Sequence, residues 1–150
     1  MEEMLNKTKK LLKSYQMVKF AVMVRTQDVE NELFESDMKT LEELIDSVLG
    51  EDLNMNGKHL EDKLIEVRNT ATLLHRMERC LEWLRKYPNK GEIYYEMIYH
   101  FYFSGFNTGH KVIAEMFDIS RTTYYRYFKE AEKTYSMLLW NSDIVMLNET

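Results

Sequence analysis

Between Arg121 and Lys129 the chain reads RTTYYRYFK, with three bases and no acid. On a helix, residues three and four apart share a face. That spacing turns Tyr124 and Phe128 inward and leaves Arg121, Thr122, Tyr125, Arg126 and Lys129 outward. The outward set has a definite chemistry. An arginine can hold guanine O6 and N7 in a bidentate fork, worth roughly 1–3 kcal/mol of discrimination against another base. Thr122 and Tyr125 can reach phosphates or a thymine methyl, and Thr123 lies toward the phosphate side. Ser120 precedes the run and is a good N-cap, because its hydroxyl can accept from a free backbone N–H.

Such a face works only if another element sets its angle. Residues 108–129, TGHKVIAEMFDISRTTYYRYFK, supply one. Ala114 is small enough for a second helix to cross closely, and Ile113 and Phe117 face inward one turn apart. Asp118 falls where the turn needs a left-handed backbone, which Gly favours and Asp tolerates. Ile119 plugs the turn into the core. An isolated amphipathic helix would use its aromatics only for packing. The arrival of Ala114, Asp118, Ile119 and Ser120 in register favours a helix-turn-helix, whose second helix can enter the major groove.

Scarce Gly and Pro (five and one in 150 residues) beside many Leu, Met, Glu and Lys predict an all-α chain. Long N-terminal helices, hairpin-like or coiled-coil-like, lead to the C-terminal helix-turn-helix. Met4, Thr8, Leu11, Tyr15, Val18 and Val22 step by fours and threes and predict a helix over about 2–24. Phe34, Met38, Leu41, Ile45 and Val48 predict a second over about 28–49, in a shifted register that implies a bend or break near Arg25–Asp28. Gly50 is placed to end it. Leu60, Leu64, Val67, Ala71, Leu74, Met77, Leu81 and Leu84 predict a third over about 58–87, stopped by Pro88 and Gly91. An aromatic fourth helix spans about 92–103, and the helix from Arg121 runs on through Tyr135 to Leu139. The expected division is 1–87 for oligomerisation or interaction, 92–140 for DNA and 141–150 as a tail. That tail either frays or docks Ile144, Val145 and Leu147 on a partner.

The formal charge of −5 looks adverse for a polyanion ligand, but it is unevenly spread. Residues 1–25 carry net +4, whereas 28–66 carry three bases against thirteen acids. Cys80 is the only cysteine, so no internal disulfide can form. Met77, Leu81 and Leu84 around it predict a packed thiol and fit a reducing cytosol. No apolar run approaches a membrane span.

Catalytic constellations are missing. His59, His75, His100 and His110 are scattered, without HExxH spacing. No glycine-rich loop cradles a phosphate, so neither enzyme activity, metal nor cofactor is expected. The acids of 28–66 lie along helical faces, as solvation requires.

Taken together, the aromatic run Tyr99–Phe103 followed by HKVIAEMFDISRTTYYRYFKEAEKTYSMLLW is similar to the C-terminal part of phage-encoded ArpU and RinA type transcriptional regulators. These in turn resemble region 4 of bacterial sigma factors. The likeness covers residues 90–140, and its most telling piece runs from Ile119 to Ala131. It implies a small helical activator of late phage genes acting at a promoter, with Arg121, Thr122, Tyr125 and Arg126 in the recognition helix. Expected partners are double-stranded DNA, a second copy of the chain and RNA polymerase, with no membrane. A small terminase subunit and a helical inhibitor that binds basic proteins through the acidic segment are the competing readings.

Overall fold

The computed structural model describes the backbone of residues 2–37 and 55–141, and the side chains of 2–27, 65 and 67–141. Over these residues the fold is all-α. Helix α1 spans Glu2–Asp37 and α2 spans Met55–Arg85. Helix α3 spans Gly91–Ile98 and passes without interruption into a π-helical turn, Tyr99–Phe103. Helices α4 (His110–Phe117) and α5 (Arg121–Trp140) complete the order.

Of the bend or break expected near Arg25–Asp28, the break is not there, because α1 continues through it as one helix. No Gly or Pro interrupts 2–37, and the Thr26 hydroxyl folds back 2.7 Å onto the Val22 carbonyl instead of capping a new helix. Gly50, the polar turn at 51–57 and the tail from 142 onward lie largely or wholly outside the described residues. So do the side chains of Phe34, Met38, Leu41, Ile45, Val48, His59, Leu60 and Leu64.

The chain divides into two compact units, Met1–Gln16 with Leu74–Thr150, and Met17–Leu73. The division between these units falls within both long helices. The reason lies in which turns bury side chains. Thr8, Leu12 and Tyr15 of α1 are buried, as are Leu74, Met77, Cys80, Leu81 and Leu84 of α2. In the other unit Met17, Phe20, Met23, Val24, Ile65 and Leu73 are exposed. Among the described members of the expected stripes, Met4 and Ala71 are exposed and Leu11, Val18, Val22 and Val67 only half-buried, while Leu12 takes a core position.

Helix α2 ends by tightening. Lys86 and Tyr87 donate to carbonyls three residues back, Pro88 has no N–H to give, and Asn89 turns left-handed at φ 69°. Gly91 follows because nothing larger fits. A Cβ there would lie 2.6 Å from the Arg85 carbonyl oxygen and 2.7 Å from that of Leu84. The expected α-helix over 92–103 widens at Tyr99, where the Ser104 N–H reaches back five residues to the Tyr99 carbonyl at 2.8 Å. Such a turn re-aims the side chains after it. Phe101 faces His110 and Phe128, while Tyr102 reaches α5.

Polar contacts tie α1 to the far end of α5. The single proton of the Thr8 hydroxyl goes to the Met4 carbonyl at 2.8 Å. Thr8 must therefore accept from both Ser136 (2.8 Å) and the Trp140 indole N–H (3.0 Å). The Cys80 thiol is fully buried and gives its proton to the Tyr135 carbonyl at 3.5 Å. Burial raises its pKa well above the usual thiol range, so it is packed and unreactive. No helix among the described residues is long and apolar enough to cross a membrane.

Candidate nucleic-acid interface

Helix α4 exists because Ile113 is completely buried, and Ala114 and Phe117 are half-buried beside it. It stops at Asp118, which adopts φ 51°, ψ 45°, the left-handed conformation that the turn required. Ile119, half-buried, follows. Ser120 is extended at φ −65°, ψ 155°, and its hydroxyl oxygen accepts from the Thr123 N–H at 3.2 Å. The same hydroxyl donates to Thr123 Oγ1 at 2.9 Å. Ser120 and Thr123 thus spend their polar groups on each other at the start of α5.

From that start α5 presents two faces. Tyr124, Phe128, Ala131 and Tyr135 are buried. Arg121, Thr122, Arg126 and Lys129 are exposed, and Tyr125 is half-buried between them and α4. At 3.6 residues per turn these five share an arc of about 140°. Arg121 leans over the Tyr125 ring at 5.9 Å, and Arg126 over Tyr127 at 5.2 Å. A cleft of about 460 Å³ lies beside the arc, lined by residues of α4, the turn and the first turns of α5, among them Lys111, Glu115, Asp118, Arg121 and Tyr125.

His110, which the sequence reading set aside, is the hinge pin of this surface. Its Nδ1 lies 2.7 Å from the Tyr124 hydroxyl. Its ring stacks on Phe101 at 4.2 Å and meets Phe128 edge-on at 4.7 Å. Burial holds its pKa below the ordinary value, so the neutral ring is favoured. Burial likewise raises the Tyr124 hydroxyl, which stays a proton donor. Only the aromatic content around position 110 hints at this role, because the partners come from two other elements.

The acids of α5 decide its electrostatics. Glu130 accepts from Tyr94 at 2.8 Å and lies 3.7 Å from the Lys90 ammonium. Burial and this bond push the Tyr94 pKa up to about 12. Glu132 is buried, accepts from Tyr102 at 2.6 Å and lies 3.9 Å from the Lys9 ammonium. Each carboxylate is therefore drawn to the body of the fold by one tyrosine and one lysine. On the outward face the exposed charges of α5 are the bases Arg121, Arg126, Lys129 and Lys133, with Glu130 half-exposed and paired. Lys133, absent from the sequence-predicted set, lies on this face and is exposed. Its neighbours Glu130 and Glu132 concealed it by making the segment look neutral.

His75 is exposed, and His100 is taken by Glu96 at 3.0 Å. Among the described residues no three His, Cys, Asp or Glu side chains gather in a way that could hold a metal ion. No protein family, no curated protein and no solved structure matches the chain.

Proposed function

We propose that this chain is a sequence-specific DNA-binding regulator of transcription, with α4 and α5 acting as a helix-turn-helix and α5 entering the major groove. One observation supports the reading: α5 holds Arg121, Thr122, Arg126 and Lys129 exposed on one arc, while Glu132 is buried on Tyr102 and the half-exposed Glu130 is paired with Tyr94 and Lys90. A surface of that kind suits the negative potential of a duplex groove. Arg126 reads a base, Arg121 a base or its flanking phosphate, and Lys129 and Thr122 position the helix on the backbone.

The protein works as a homodimer in this reading. Met17, Phe20, Met23 and Val24 are exposed on α1 at helical spacing and offer the apolar surface that a second copy needs. Two α5 helices then address half-sites about 34 Å apart. Activation of late phage genes and contact with RNA polymerase are the narrower forms of the proposal, taken from the resemblance.

Selection of bound duplexes from a random pool tests it. Wild-type protein should enrich a palindromic consensus, and the Arg121→Ala/Arg126→Ala double variant should enrich none. Equal binding of the selected duplex by both proteins would reject the reading.

A further inference from the structure

We propose that Lys133 is a further nucleic-acid contact, a phosphate anchor at the far end of the basic face of α5; the inference rests on the DNA reading above. Thr122, Arg126, Lys129 and Lys133 fall at steps of four, three and four, so they form one stripe along the helix. All four are exposed. The two acids that could cancel the stripe are occupied, Glu130 by Tyr94 and Lys90, and Glu132 by Tyr102 and Lys9. The stripe is therefore uniformly cationic from Arg126 to Lys133.

Length assigns the role. At 1.5 Å per residue the stripe from Thr122 to Lys133 extends about 16 Å. The major groove is about 12 Å wide, and a recognition helix reads bases with its N-terminal residues. With Arg126 over base edges, Lys133 stands about 10 Å further along the axis, where the groove wall of phosphates rises. A lysine is a compact point charge on a flexible stem, suited to a phosphate and poor at telling bases apart. Lys133 thus adds affinity without sequence information.

The test uses the full chain and a fluorescent random-sequence duplex of about 30 base pairs, with anisotropy titrations between 50 and 200 mM salt. Each phosphate contact contributes a slope of about 0.9 in log affinity against log salt. The ratio of wild-type to Lys133→Ala affinity should therefore shrink by about 3.5-fold across that range. The Lys86→Ala variant, which removes an equal and exposed charge from the turn after α2, should leave the slope unchanged. A Lys133→Ala slope equal to that of wild type, or matched by Lys86→Ala, would overturn the anchor while leaving DNA binding intact. If wild-type protein binds the duplex with no dependence on salt, or does not bind it, the DNA reading falls and the anchor with it.

Discussion

The imidazole of His110, at the first turn of α4, shares a 2.7 Å hydrogen bond with the hydroxyl of Tyr124, a fully buried residue of α5. Neither group has a solvent-facing reason to be there. The pair fixes the angle between the two helices from inside, and the aromatic rings around it keep the imidazole neutral. With Nε2 carrying the proton, Nδ1 accepts from the tyrosine.

That pairing sets a pH dependence. The folded-state pKa of His110 lies below its ordinary value of 6.5, so the unfolded chain binds more protons as the pH falls through 6.5. Stability from this residue is complete above 6.5 and is lost below it, down to the folded-state value. Thermal melts at about pH 7.5 and 5.5 should show a larger fall for wild type than for His110→Gln, which cannot titrate there. An identical fall in both proteins would contradict the assignment.

Asp118 tolerates a left-handed backbone at a cost. Asp118→Val should lower stability by about 1–2 kcal/mol, since a β-branched side chain clashes with its own backbone in that conformation. Asp118→Gly should change it by less than about 0.5 kcal/mol, because relief of strain offsets the added freedom of the unfolded chain. Urea titrations followed by circular dichroism check both.

Tyr102 and Glu132 form a buried donor–acceptor pair at 2.6 Å. Glu132→Ala leaves the tyrosine hydroxyl without its acceptor and should cost about 1–3 kcal/mol. Tyr102→Phe made on top of it should cost much less than it does alone. A double-mutant cycle should return a coupling of about 0.5–3 kcal/mol, and additive effects would refute the pairing.

The turn between α4 and α5 was readable because its determinants are local. Asp118, Ser120, Tyr124 and Phe128 each act within a few residues of chain, so type and spacing suffice. Helix boundaries fared less well. The bend or break expected near Arg25 rested on apolar register alone, and a shift of register does not by itself end a helix where no Gly or Pro intervenes. Lys133 and His110 were hidden for another reason. Their significance depends on Lys9, Tyr94, Phe101 and Tyr102, which reach α5 and α4 from other elements of the fold. A charge count along the chain sees Glu130 and Glu132 as neighbours of Lys133. In the folded protein they belong to the tyrosines of the preceding elements.

Thr8 takes its last hydrogen bond from Trp140, 132 residues further on. The opening turns of the chain therefore cannot close their part of the core until residue 140 has left the ribosome. During synthesis the apolar side of α1 waits without its partner, exposed to whatever else is nearby. Yield from an expressing cell should accordingly be more sensitive to changes at Ser136 and Trp140 than to changes of equal size early in α4.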